Sequence, residues 1–315
     1  MLISPKIKLM KRRLTLAFVL MCALQLTAVA QKQVLDPQLL LRDVQILSAD
    51  SMAGRLSGTE GNRMAQDYIE KRFNEIGLQP YNNSYRHTFR LEGRGIVVEE
   101  AVNLIGFIPG KTDKAIVLTA HYDHVGERKG EIYNGADDNA SGVGALLAAA
   151  AYFKTNKPYY TLIFAALDGE ELGLQGANAF LENPPLALDL IQLNVNMDML
   201  SLNQQGELYA SGAYHYPVLL PLLQQVKARP QARLLTGHDR PEQGQNDWTR
   251  QSDHYQFHKR QIPFIYFGVE DHPHYHKPTD DFENINSTFY PDAAALVIDF
   301  VQLLNKKRPA LRTTN

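Results

Sequence analysis

The chain has 315 residues, one cysteine, and 32 basic against 34 acidic residues. A net charge of −2 supplies no field for holding a phosphate backbone, which argues against a nucleic-acid binder. One cysteine rules out a disulfide framework or a cysteine-rich zinc module, and 44% hydrophobic residues fit an ordinary globular chain.

Residues 1–30 read as a segment apart. Lys6, Lys8, Lys11, Arg12 and Arg13 form a basic start, residues 14–24 are apolar, and Ala28-Val29-Ala30 offers the small-x-small pattern of a signal peptidase site. A secretory signal cleaved before Gln31 is therefore expected, placing the protein in the periplasm or outside the cell. The apolar run is short for a membrane span, which disfavours a retained anchor. Lipidation at Cys22 is disfavoured because Met21 stands where a small residue belongs. Cleavage would leave 27 basic against 34 acidic residues, a charge of −7, and no cysteine.

The folded body is expected over residues 31–309, with 310–315 as a tail. Residues 62–76 have helical spacing, with Met64, Ala65, Tyr68, Ile69, Phe73 and Ile76 on one side and Gly77 in the C′ position. Residues 85–89 and 101–107 read as strands, followed by a Pro109-Gly110 turn. Residues 115–120 form a continuous apolar run, as in a strand buried on both faces. Helix is then predicted over 142–153, strand over 161–166, helix over 171–181, strand over 191–197, helix over 217–226 and strand over 263–267. A closing helix covers 291–304, with Ser287 or Thr288 as cap and Lys306 to Arg308 at its end. Strands alternating with helices imply one α/β domain: a central, mixed, mostly parallel twisted sheet with helices on both faces.

The ionisable residues follow the strands. His121-Tyr122-Asp123 comes after 115–120, Asn134 to Asn139 precedes a helix, Asp168-Gly169-Glu170-Glu171 comes after 161–166, and Asp198 after 191–197. His272-Pro273-His274-Tyr275-His276 lies near the chain end. In open α/β sheets ligands bind beyond the carboxyl ends of the strands, so these clusters should converge on one cleft. Taken singly, Asp137-Asp138 could equally be helix caps and Glu170-Glu171 a favourable charge at a helix N-terminus. Together, with no cysteine among them, they offer the oxygen and imidazole ligands that suit zinc, or cobalt or manganese.

Five segments resemble the secreted di-zinc aminopeptidase family, whose relatives include glutamate carboxypeptidases and glutaminyl cyclases. They are His121 to Gly126, Asn134 to Gly142, Asp168 to Gly173, Asn196-Met197-Asp198, and His276 to Asp280. Ala53 to Gly58 and Ser252-Asp253-His254 resemble its flanking patterns. The resemblance implies a zinc-exopeptidase-like fold and two zinc ions, one bound by His121 and Asp198, the other by Glu171 and His276, with Asp137 bridging. Asp123 would orient His121, Asp138 would stand beside the bridge, the Asp137–Asp138 peptide bond would be cis, and Glu170 would be the general base. Two zinc ions balance three carboxylates and a bridging hydroxide. The implied reaction is release of N-terminal residues from peptides. Tyr275 is a candidate for stabilising the oxyanion, with packing as its alternative; His254 and Trp248 are candidate pocket residues, equally open to structural roles. His272 and His274 read as exposed loop residues. A glutaminyl cyclase, with one zinc, and a carboxypeptidase or dipeptidase clamping a terminal carboxylate with Arg240 or Arg250, are the rivals on the same fold.

Overall fold

The computed structural model describes residues 34–312; the expected signal segment lies outside them. Helix α1 (Pro37–Leu47) starts where the Asp36 side chain accepts the N–H groups of Gln38 and Leu39, with proline in the first turn. Helix α2 (Glu60–Ile76) is capped by Thr59 and closed by Gly77 at φ 78°, as its spacing predicts. Its inner face differs in one respect: Met64 is exposed, and Asn62 and Gln66 are buried.

The strands are β1 (Gln79–Pro80), β2 (Arg86–Gly93), β3 (Ile96–Ile108), β4 (Thr112–His121), the hairpin β5 (Gly126–Arg128) and β6 (Glu131–Tyr133), β7 (Tyr160–Leu167), β8 (Ile191–Met197), β9 (Glu207–Ser211), β10 (Arg233–Thr236) and β11 (Phe264–Gly268). Nine of them form one mixed sheet in the order β1-β3-β7-β4-β8-β11-β9-β10, with β2 also on β3. The central β7-β4-β8-β11 are mutually parallel; the antiparallel pairs lie toward the flanks, between β3 and β7 and between β11 and β9.

Helices α3 (Gly142–Thr155), α4 (Gln175–Glu182), α5 (Leu220–Leu223), α6 (His254–Lys259) and α7 (Phe289–Lys307) complete the fold. Strand alternation divides the core. Ile116, Leu118 and Ala120 of β4 pack with the apolar residues of α1, α2, α3 and α7. Ala115 and Val117 pack on the other face with Phe180 of α4 and Phe257 of α6. The packed body passes the expected boundary at Pro309: Leu311 is buried, and Arg312 donates to the carbonyls of Leu188 and Ile191.

Two predicted helices are shorter than expected. The 171–181 segment becomes helical only at Gln175, because the chain first closes a separate turn, with Gly173 and Leu174 both donating to the Glu170 carbonyl, that ends on Leu174 in the left-handed region. The 217–226 segment is a 3₁₀ turn followed by α5, each with a proline in its first turn. Helix α7 has Thr288 at its cap position, but the side chain that accepts there is that of Asn286, from the N–H groups of Thr288 and Phe289.

Candidate metal centre

Sheet register brings the ionisable residues together. His121 ends β4 opposite Leu167, the last residue of β7, and Thr119 pairs with Asn196, two residues before Asp198. His121, the 168–171 turn and Asp198 therefore leave the sheet at one edge, and the loops after β6 and β11 fold over them.

Two groups of ligand atoms converge there. His124, Asp138, Glu171 and His276 form one; His121, Asp138 and Asp198 form the other. His276 Nε2 lies 2.9 Å from Asp138 Oδ2 and 3.1 Å from Glu171 Oε1. His121 Nε2 lies 3.2 Å from Asp198 Oδ1 and 3.3 Å from Asp138 Oδ1.

The carboxylate common to both groups is Asp138, which corrects the expectation for Asp137. Asp137 is buried but turned away: Oδ1 accepts the Ser201 N–H and hydroxyl and the Ser141 hydroxyl, and Oδ2 meets His272 Nε2 at 2.9 Å. The cis peptide bond likewise lies one residue later than expected, between Asp138 and Asn139. His272 is correspondingly not an exposed loop residue, since its side chain is 5% exposed against Asp137. His274 Nδ1 stands 2.9 Å from the Thr279 hydroxyl, and its backbone N–H donates to His272 Nδ1.

Asp123 also acts differently from the expectation. Its carboxylate accepts the N–H groups of Glu170 and Glu171 at 3.1 and 3.2 Å, fixing the turn that presents both. It is the backbone carbonyl of Asp123 that lies 3.1 Å from His121 Nδ1, while the nearest carboxylate oxygen stands at 3.7 Å. A proton on Nδ1 satisfies that carbonyl and leaves the Nε2 lone pair facing Asp138 and Asp198.

Arg55 and Asp280 frame the loops. Arg55 is fully buried and donates to the carbonyls of Leu47, Tyr122, Asn134 and Gly135. Burial lowers its pKa to about 10, against the pull of Asp138 and Asp280. Asp280 accepts the N–H groups of Asp137 and Asp138. Gly135, at φ 57°, turns the chain into this loop; a Cβ there would collide with the Asp138 carbonyl.

The protonation pattern follows from the packing. Burial disfavours charge on Glu170, and Asp198 and Glu171 add to it, so its pKa stands well above the usual carboxylate range despite His121. Burial alone would raise Glu171 too, but His124 and His276 bring it down to about 2. His276 is the counterpart: burial opposes its charge, yet Asp138 and Glu171 raise it to about 10.

A centre for divalent cations fits these residues. Both ring nitrogens of His124 and Oε1 of Glu171 are buried without a hydrogen-bond partner, although His124 Nδ1 and Glu171 Oε1 are 3.0 Å apart. Close approach without hydrogen-bond alignment is what nitrogen and oxygen ligands facing a common cation require.

The centre opens into a cavity of about 330 Å³ lined by Glu170, Met199, Trp248, Arg250, Tyr266 and Tyr275, among others. Trp248 is thus a wall, stacked 3.7 Å from His238. Tyr275 also lines it, stacked 4.1 Å from His276. His254 does not. It is fully buried, its Nε2 is 3.0 Å from the Trp248 carbonyl, and burial lowers its pKa to about 3. Arg240 is also outside, lying over the Tyr214 ring.

Sequence reasoning left His124, Asp280 and Arg55 without roles, although all three lie inside the motifs that carry the resemblance. Their signal was position within those motifs; only the fold shows that His124 points inward and that Asp280 bonds to backbone.

Fold and site define an α/β protein with paired, cysteine-free cation ligands at the carboxyl edge of its parallel strands. The profile of Peptidase family M28 matches residues 103–301, and the chain belongs to that family. It is 30% identical over 226 residues to aminopeptidase YwaD of Bacillus subtilis, covering 67% of this chain and 46% of that protein. It is 29% identical over 142 residues to the alkaline phosphatase isozyme conversion protein of Escherichia coli, covering 41% of each. The chain therefore spans less than half the length of these relatives. Among solved structures, glutaminyl cyclase of Porphyromonas gingivalis superposes with a TM-score of 0.68 at 18% identity, covering 86% of this chain and 99% of that one. Among the described residues no helix is long and apolar enough to cross a membrane.

Proposed function

We propose that the protein is a two-metal exopeptidase that hydrolyses the N-terminal peptide bond of peptides. The observation that carries the reading is the position of Asp138 between two groups of ligands, with Glu170 in the adjoining cavity. His124, Asp138, Glu171 and His276 would hold one ion, and His121, Asp138 and Asp198 the other. Zinc, or cobalt or manganese in its place, supplies Lewis acidity toward the scissile carbonyl and makes water acidic near neutral pH.

The chain's own groups do the rest. Glu170 takes the proton of the attacking water and returns it to the leaving amine, a task suited to a carboxyl whose pKa burial raises above the usual carboxylate range. The Asp123 carboxylate holds Glu170 in place through its N–H. Tyr275 and Trp248 wall the cavity, whose volume suits a chain end. Its floor carries the cation ligands Asp138, Glu171 and Asp198, where a bound ion would accept the lone pair of a free amine. The pattern of residues 1–30 supports action outside the cytoplasm.

The test is a panel of free and N-blocked peptides, with metal analysis of the same preparation. About two divalent ions per chain and cleavage only of peptides with a free amine are expected. Glu170→Gln should keep the metal and lose at least ~100-fold in kcat/KM. Cleavage of blocked peptides from their carboxyl end would indicate a carboxypeptidase. Ammonia release from N-terminal glutamine with a single ion would indicate a cyclase.

A further inference from the structure

Two cations at the cavity wall have no role in the hydrolysis described above. Arg94 belongs to the β2–β3 hairpin turn, at φ 50° beside Gly95, and Arg250 ends the short turn that carries Trp248. Both line the same cavity as Glu170, His121 and His276. Arg72, Arg86, Arg90, Arg229 and Arg233 each meet a carboxylate within 4 Å, whereas among the described residues Arg94 and Arg250 meet none. Asp271 lines the cavity as well, but forms no ion pair with either. Arg250 lies over the Tyr255 ring, 5.9 Å from its centroid, a stacking that limits where its side chain goes without neutralising it.

The lining is thus split by charge. Asp138, Glu171 and Asp198 on one side are themselves cation ligands, and two guanidiniums from separate elements, neither meeting a carboxylate, stand on the same cavity. A guanidinium presents its donors in a planar fork that matches a carboxylate. We propose that Arg94 and Arg250 recognise a carboxylate on the leaving part of the substrate, so that the enzyme prefers short peptides whose carboxylate lies within a residue of the scissile bond. The inference rests on the exopeptidase reading and adds its substrate class. The amine end would lie at the metal centre and the carboxylate end at the two arginines, a pair of ends that a free dipeptide carries in full.

The test compares Leu-Gly, Leu-Gly-amide and Leu-Asp-amide. Hydrolysis is measured with the metal-loaded enzyme. Binding is measured with the Glu170→Gln variant through the fluorescence of Trp248, the only tryptophan in the chain. Leu-Gly should exceed Leu-Gly-amide by about tenfold in kcat/KM and in affinity, as two partly exposed charge-assisted contacts allow. In R94Q and R250Q that ratio should fall toward one. Equal values for Leu-Gly and Leu-Gly-amide in the wild type, or an unchanged ratio in both variants, overturns the proposal. Leu-Asp-amide matching Leu-Gly would show that an acidic side chain serves as well as the terminal carboxylate. If none of the three is cleaved, the exopeptidase reading falls, while the affinity ratio still decides the role of the arginines.

Discussion

Asp280 holds Asp138 by its backbone: Oδ2 of Asp280 accepts the Asp138 N–H at 3.0 Å, and Oδ1 accepts that of Asp137 at 2.9 Å. One fully buried carboxylate thereby fixes the two peptide units that aim the Asp138 side chain. Asp280→Ala leaves both N–H groups buried and unpaired. It is expected to lower the unfolding free energy by ~2–4 kcal/mol and to reduce bound metal. Urea denaturation and metal analysis check it; an unchanged midpoint with full metal content would refute the positioning role.

Asp137 and Asp138 are adjacent carboxylates with opposite surroundings, which gives paired variants a clear contrast. Only Asp138 reaches both ligand groups, so Asp138→Asn should cut metal content from about two ions toward none. Asp137→Asn should retain metal, because its carboxylate faces Ser141, Ser201 and His272. Its cost is stability, ~1–3 kcal/mol for disturbed buried hydrogen bonds. Metal analysis giving the reverse order would restore Asp137 as the bridge.

The contrast also marks what the sequence conveys. The strands 115–120, 161–166 and 191–197 were legible because a buried parallel strand must be a continuous apolar run, and the residues after such strands had to share one edge. Which of two neighbouring aspartates faces the centre was not legible. Their side chains diverge through the backbone of a loop held by Asp280 and Arg55, and a resemblance placed one residue off selects the wrong one. Strand β10, short and partly exposed at the sheet's edge, and the five-residue β9 beside it had too little apolar patterning to stand out. Met64 misled for the opposite reason: it keeps the helical period of α2, but the buried groove beside it is filled by Asn62 and Gln66, which serve Asp168 directly and in relay.

Arg55 gives a third prediction. Its guanidinium donates to four carbonyls from three separate segments, and the Tyr122 and Asn134 bonds tie the two loops that carry His121 and Asp138. Lysine keeps the charge but presents three donors at one point and cannot span that arrangement. Arg55→Lys is expected to destabilise the protein by ~2–5 kcal/mol, with carbonyls left buried and unpaired. Chemical denaturation measures the loss, and a variant within ~0.5 kcal/mol of wild type would show that the loops hold themselves.

Asp168 makes stability depend on pH in a definite direction. It is fully buried, and burial first, then the charge of Asp123, raises its pKa to about 7, against the hydrogen bonds donated by Ser57 and Asn62. The folded chain therefore keeps a proton that the unfolded chain releases near pH 4. Its contribution to stability is full below about pH 4 and is lost as pH rises through about 7. Asp168→Asn removes this titration. The asparagine amide replaces an oxygen that has no hydrogen-bond partner, so the variant pays a constant cost at every pH. What changes with pH is the difference between the two proteins. Asp253 and Asp280, with pKa values raised to about 7 and about 6, are present in both and largely cancel. Urea midpoints at pH 4.5, 6 and 8 should show the variant gaining steadily on wild type, with most of the gain below pH 7. Parallel midpoints across that range would mean that Asp168 is ionised in the folded protein throughout.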